Sequence, residues 1–199
     1  MNKLVCGIGF NGRKYPTYIN DTIAEEYEAW RGMLRRCTKE YWVKFPTYIG
    51  TTCSENFKNY SFFYEWCQEQ VGFKNEDEAG RCWQLDKDLL INRNKLYSED
   101  SCVFVPQRIN LLLIKCNASR GEWSVGVNWN KRDKKFQSSC STGHSKKKNL
   151  GSFNTPQEAF QAYKTFKEQL IKQVANEYRA QLDPRAYQAL MSYEVNIND

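Results

Sequence analysis

Two aspartates stand two residues apart in Trp83-Gln84-Leu85-Asp86-Lys87-Asp88-Leu89-Leu90, a stretch that reads as a strand. Residues i and i+2 of a strand share a face, so Asp86 and Asp88 can offer hard oxygen ligands to a cation such as Mg²⁺. A polar loop, Asn92-Arg93-Asn94-Lys95, leads to a second strand within Tyr97–Val105. A helix then opens at Pro106 and carries Asn110, a further oxygen donor if it packs on the hairpin. The same spacing suits a plainer arrangement, in which Asp86 and Asp88 make ion pairs or turn contacts with Lys87, Arg93 or Lys95. Spacing alone leaves both open.

The remaining chemical inventory narrows the choice. His144 is the only histidine, so a two-histidine metal site cannot be built from one chain. Any serine or cysteine nucleophile paired with histidine would have to work through His144, which lies in the polar loop Thr142–Lys146. The eight cysteines, Cys6, Cys37, Cys53, Cys67, Cys82, Cys102, Cys116 and Cys140, are far apart in sequence, and none forms the close pair of a structural zinc knuckle. They read as buried free thiols acting as small hydrophobes. Neither zinc nor an organic cofactor is expected.

Charge points to a partner. The 199 residues carry 29 Lys and Arg against 23 Asp and Glu. The window 120–152 holds Arg120, Lys131, Arg132, Lys134, Lys135, Lys146, Lys147 and Lys148 against Glu122 and Asp133, which accounts for the entire net charge of +6. Concentrated positive charge favours a polyanion, most often nucleic acid. With 41% hydrophobic and 15% aromatic residues the chain can form a core. No apolar run approaches the roughly 20 residues of a membrane span, and the N-terminus lacks a secretory pattern. A soluble protein without a membrane partner is therefore expected.

The elements around the basic window are legible. Trp123, Val125, Val127 and Trp129 alternate with polar residues across Glu122–Asn130, and Phe136, Ser138 and Cys140 do so in the next strand. Lys147–Phe153 makes a third strand. Thr155, Pro156 and Glu158 form a complete helix start, a capping box with proline at the first helical position. Ala159, Tyr163, Phe166, Leu170, Val174 and Tyr178 make one apolar stripe, which should cover one face of the sheet. The other face should then present Asn128, Asn130, Gln137, Ser139, Lys147 and Asn149, with Lys131, Arg132 and Lys134 at the hairpin. Such a face has donors for phosphates and amides suited to base edges.

Val125-Gly126-Val127, Lys135-Phe136, Lys147–Phe153 and Thr155–Ala159 with Ala162-Tyr163 resemble the APETALA2 type of DNA-binding domain. That resemblance implies a three-stranded antiparallel sheet packed on one helix, with double-stranded DNA read by the open sheet face. The family's contacts run mainly through Arg and Trp, where this chain has Asn, Ser, Gln and Lys.

The preceding residues are neutral overall and rich in aromatics. Thr22–Cys37 reads as a helix with Tyr27, Trp30, Leu34 and Cys37 on one face, and Tyr60–Gln70 as another with Phe62, Phe63, Trp66 and Cys67. Trp30–Cys37, Pro46-Thr47-Tyr48, Phe62-Phe63, Leu85–Asp88 and Tyr97–Cys102 occur in the order seen in phage HNH homing-endonuclease-like proteins. These are similar to a ββα-metal, or His-Me finger, nuclease domain followed by an APETALA2-like module. The resemblance implies an α+β fold divided into 1–117, 118–182 and a tail at 183–199. It also implies Mg²⁺ or another divalent cation on Asp86, Asp88 and Asn110, and action in the cytoplasm of an infected bacterium.

One departure from the family pattern is chemical. The position of the catalytic histidine is held by Lys87, which is protonated at neutral pH and suited to contact phosphate rather than to take a proton from water. Ser101 stands where related sequences often have Asn. Two readings follow: a metal-dependent endonuclease using Asp86, Lys87, Asp88 and Asn110, or a DNA-binding protein on a degenerate nuclease scaffold, acting as a regulator or as an inhibitor of a host factor. A pure protein-interaction module would leave the basic sheet unexplained.

Overall fold

Asn20 and Asp21 both adopt positive φ (48° and 61°), the left-handed pair of a tight hairpin turn that Asn and Asp tolerate. They join β1 (Tyr18–Ile19) to β2 (Thr22–Ile23). The first helix therefore starts later than the periodicity suggests, as α1 (Glu25–Arg36), because Thr22 and Ile23 are held in the hairpin. Glu25, Glu26 and Glu28 in its first turn and Arg35 and Arg36 in its last complement the helix dipole. The chain continues through α2 (Lys39–Lys44), β3 (Thr52–Cys53), α3 (Tyr60–Glu69), β4 (Gln84–Asp86), β5 (Leu96–Tyr97) and β6 (Val103–Val105). Then come α4 (Gln107–Leu113), β7 (Val127–Asn130), β8 (Lys135–Ser141), β9 (Lys147–Phe153), α5 (Pro156–Glu177) and α6 (Pro184–Met191). The computed structural model describes residues 4–114, 122–143 and 147–197. The fold class is α+β, as expected, with its strands in small separate sheets.

The chain groups into two compact units, Met1–Pro106 with Gln181–Ala186, and Gln107–Ala180 with Tyr187–Asp199. The sequence-based boundary at 117/118 falls outside the described residues. Helix α4, read from sequence with the first domain, groups instead with the second unit, where Arg108 pairs with Glu177 of α5.

The first unit is organised around aromatic side chains. Trp30, Phe57, Tyr60 and Phe63 are fully buried, and Trp66 nearly so. Phe57 lies 5.1 Å from Phe63 and 4.8 Å from Trp66 in edge-to-face packing, and the Trp30 indole N–H donates to the Phe57 carbonyl at 2.7 Å. Asn59 caps α3 by accepting from the Ser61 N–H. Glu26, only 1% exposed, enters this core and accepts from Gln68 and Lys74 at 2.9 and 2.8 Å. Two small ladders frame the candidate metal residues. Strand β4 pairs antiparallel with β6, Asp86 opposite Val103, and β3 pairs parallel with β5, Cys53 beside Tyr97. The order strand, loop, strand, helix expected for residues 83–113 is present as β4, β6 and α4.

In the second unit β7, β8 and β9 form an antiparallel sheet in that order, with α5 against it. The capping box is complete: Thr155 Oγ1 accepts from the Glu158 N–H, and Glu158 Oε2 from the Thr155 N–H, each at 3.2 Å. Cys140, Phe160 and Tyr163 are the buried centre, with Val125, Val127, Leu150 and Phe166 packed around them. The stripe on α5 is wider than predicted, since Phe160, Lys167 and Ile171 are also buried.

Three expectations need correction here. The first strand covers only Val127–Asn130, because Gly126 takes a φ of +78° and lies so close to Tyr163 that a Cβ would come within 2.1 Å of the ring. Pro184, a proline that from sequence is expected to end the long helix just before the tail, instead opens α6, a position where its missing N–H costs nothing; α5 stops earlier, at Glu177. Within the stretch read as a tail, Val195 belongs to the core of the second unit. Its N–H bonds Glu168 and its carbonyl accepts from Lys164, both at 2.8 Å.

Candidate functional site

Alternation along β8 and β9 decides what the sheet presents. Asn128 stands opposite Gln137, and Gln137 opposite Ser152; Asn130 faces Lys135, Ser139 faces Asn149, and Ser141 faces Lys147. These residues form the open face, away from Val127, Cys140 and the helix. A bulge between Ser138 and Ser139 shifts the register. Leu150 consequently joins the core, and Lys148 turns to the helix side with its ammonium 4.9 Å from the Phe166 ring. Lys135, which the sequence reading left out, belongs to the open face; its alternation with Gln137 and Ser139 was the available signal.

Not every amide on this face is equally available. Asn130 Oδ1 accepts from the N–H groups of Arg132 and Asp133, and its Nδ2 donates to Asp133 at 2.9 Å, so Asn130 builds the hairpin turn. Asn149 Oδ1 accepts from the Gly151 N–H at 2.9 Å and holds the bulge. Asn128 and Gln137 make only a long 3.4 Å contact with each other. Arg132 is bridged to Asp133 through Nε at 2.8 Å, whereas Lys131, Lys134, Lys135 and Lys147 are exposed. Arg120, His144 and Lys146 lie outside the described residues.

The turn at Gly126 has a second effect. It carries the chain away from β8, so Ser141 and its neighbours extend past the end of β7. A groove of about 810 Å³ lies there, lined in part by Trp123, Trp129, Lys131, Ser141 and Lys147.

The acidic residues of the first unit are arranged differently from the two-carboxylate strand face expected. Strand β4 ends at Asp86, so Asp88 lies beyond it in a bend. Asp86 Oδ1 accepts from the N–H groups of Asp88 and Leu89 at 2.8 and 2.7 Å, which makes it the keystone of that turn. Burial raises the Asp86 carboxyl above its ordinary range; the Leu89 N–H opposes this, and the Asp88 charge adds to it. Lys87 is 5% exposed. Its ammonium donates to both carboxylate oxygens of Asp88, at 2.7 and 2.6 Å, and to the Asn94 carbonyl at 2.6 Å, and it lies 5.6 Å from the Tyr97 ring. Ser101 Oγ donates to the Leu96 carbonyl at 2.9 Å.

As arranged, these groups do not fit a divalent ion. A hard cation needs about six oxygens with free lone pairs, whereas both oxygens of Asp88 are held by an ammonium and Asp86 Oδ1 by two amide N–H groups. Asn110, on α4, belongs to the other unit. Among the described residues no three His, Cys, Asp or Glu side chains gather closely enough to hold a metal. The seven described cysteines are free, but only Cys53, Cys67, Cys102 and Cys140 are buried, so the expectation of uniformly buried thiols is too broad; Cys116 lies outside the described residues. Among the described residues no helix is long and apolar enough to cross a membrane.

Comparison with family models, curated proteins and solved structures finds no match to this chain.

Proposed function

We propose that the protein binds double-stranded DNA through the open face of the β7–β8–β9 sheet, and that binding rather than cleavage is its activity. The observation that carries this reading is the shared side of the sheet: Lys135, Gln137, Ser139 and Lys147 stand on one face with Asn128, and Lys131 and Lys134 flank it at the hairpin. Lysines at the rim neutralise phosphates, while Asn128, Gln137 and Ser139 suit base edges in a groove wide enough for a sheet. On the same reading the protein is a regulator, or an inhibitor of a host factor, in the cytoplasm of an infected bacterium.

The endonuclease reading draws support from the β4–β6–α4 order and from the family resemblance. It requires Asp88 to exchange Lys87 for a metal, whereas the binding reading requires no rearrangement. Fluorescence anisotropy with a mixed-sequence duplex, in Mg²⁺, Mn²⁺ and EDTA, tests both. The expected result is metal-independent binding of intact DNA. Absence of binding at low salt overturns the proposal, and metal-dependent cuts lost in Asp86→Ala establish the nuclease instead.

A further inference from the structure

Strand β7 is an edge strand of the β7–β8–β9 sheet, and the groove of about 810 Å³ runs along it. Its lining takes Asn128, Ser139 and Lys147 from the open face, and Val127 and Trp129 from the face that packs on α5. The groove thus rounds the sheet edge and joins two surfaces of different chemistry. Trp129 is 39% exposed. It stands opposite Phe136, whose ring lies 4.7 Å from that of Trp129 and 4.8 Å from that of Trp123. Phe136 braces both indoles, and a ring already held in place loses little freedom when a ligand stacks on it. Lys131 and Lys147 line the same groove, as does the buried Lys167. Among the described lining residues Glu122 is the only acid, so the charge favours an anion.

Indole rings beside lysines suit a nucleotide of a single strand, the rings taking the base and the ammoniums its phosphates. A base inside a duplex is stacked on both faces by its neighbours and has no face left for an indole. An unpaired base has one.

We propose that this groove takes an unpaired base of a strand whose duplex part lies on the open sheet face, so that the preferred ligand is DNA with a junction between duplex and single strand. The inference rests on the sheet-face reading above and narrows its ligand. Lys147 belongs to both surfaces and keeps the phosphate backbone continuous from one to the other. Trp123 and Trp129 supply a stacking platform that a blunt duplex leaves unused.

The test is an anisotropy titration of the full chain with three probes. These are a short blunt duplex, the same duplex with a short thymine overhang, and that duplex with an overhang of abasic residues, which keeps the phosphates and lacks the bases. The thymine overhang should bind about tenfold more tightly than the blunt duplex, and the abasic overhang should gain little. Trp129→Leu should cancel the gain and leave affinity for the blunt duplex unchanged. Equal affinity for the blunt duplex and the thymine overhang overturns the groove proposal while the sheet-face reading stands. A gain that the abasic overhang reproduces also overturns it, since phosphates alone then account for the difference. Binding to none of the probes removes the sheet-face reading, and the groove proposal with it. The probe series uses the unaltered chain, so it decides the matter even if the variant does not fold.

Discussion

Lys87 and Asp88, adjacent in sequence, form a closed ion pair in which one ammonium meets both carboxylate oxygens at 2.7 and 2.6 Å. The lysine end is buried and the aspartate end is 52% exposed, so water screens the pair from one side only. This contact bears on any reading of the Asp86–Asp88 strand end. A cation placed there must compete with a cation already built into the chain.

Salt dependence tests the sheet face directly. Five cationic side chains, Lys131, Arg132, Lys134, Lys135 and Lys147, imply a slope of log affinity on log salt of about −4 to −5, which is roughly a 300–1,000-fold loss between 50 and 200 mM. Lys147→Ala should weaken binding and reduce the slope by about 1. Arg132→Ala should do less, because Asp133 already engages its guanidinium. Asp133→Asn should strengthen binding. Equal losses from Lys147→Ala and Arg132→Ala in the anisotropy titration would contradict the arrangement of the hairpin.

Asp86→Asn separates a turn keystone from a metal ligand. Asparagine keeps the oxygen that accepts the Asp88 and Leu89 N–H groups, and it removes a charge that burial disfavours. With the folded carboxyl raised, wild type carries an unfavourable charge once pH exceeds that folded value. Below about pH 4 the carboxyl is protonated folded or unfolded, and the handicap is absent. The variant should therefore be more stable than wild type at pH 7 and equal to it at pH 3 in urea unfolding. Lower stability at pH 7 would mean that the negative charge itself is needed.

Glu26 and Lys74 make the opposite case. Burial works to raise the Glu26 carboxyl, but the bonds from Lys74, the backbone and Gln68 outweigh it and hold the group below its ordinary value. Its contribution is fully present above about pH 4.3 and lost as pH falls through the lower folded value. Lys74→Ala should destabilise the first unit by about 3 kcal/mol at pH 7, since it strands a buried charge. Thermal melts should show the deficit shrinking at pH 3, where Glu26 is neutral. A deficit independent of pH would assign the loss to packing alone.

Gly126→Ala should be severe for a conservative change. It adds a methyl group where φ is +78° and where Tyr163 leaves no room. A loss of about 3 kcal/mol or more in the second unit is expected, seen as selective deprotection of β7 and α5 amides in hydrogen exchange. Unaltered protection would show that the helix can shift to admit the Cβ.

The legible parts of the fold are those where local chemistry and tertiary packing agree. Thr155, Pro156 and Glu158 specify a helix start by short-range bonds alone, and the open face follows from alternation once one side is buried. Local signals misled where a single backbone angle intervened: Gly126 halved a strand whose Trp123 and Val125 had continued the pattern. Pro184 reads equally well as a stop or a start, and only the burial of Ala186 and Leu190 decides between them. Asp86 and Asp88 share parity but not a strand, because Asp86 bends the chain immediately after itself. Of the plainer contacts considered beside the metal reading, the Asp88–Lys87 ion pair is found, whereas Asp86 bonds the Asp88 and Leu89 N–H groups and none of Lys87, Arg93 or Lys95; Lys87 gives no sequence sign that its ammonium is buried.

The first unit takes its last piece from far along the chain. Leu182 and Ala186 are buried, and Arg185 donates to the Asp100 carbonyl at 3.2 Å. A ribosome making roughly 5–20 residues per second delivers that segment seconds after Pro106, with the whole β7–β8–β9 sheet and α5 emerging in between. The amino-terminal unit thus cannot be completed in the order of its synthesis. A fragment ending at residue 106 lacks the Gln181–Ala186 segment that belongs to its unit, and so should bind chaperones or aggregate more readily than the full chain.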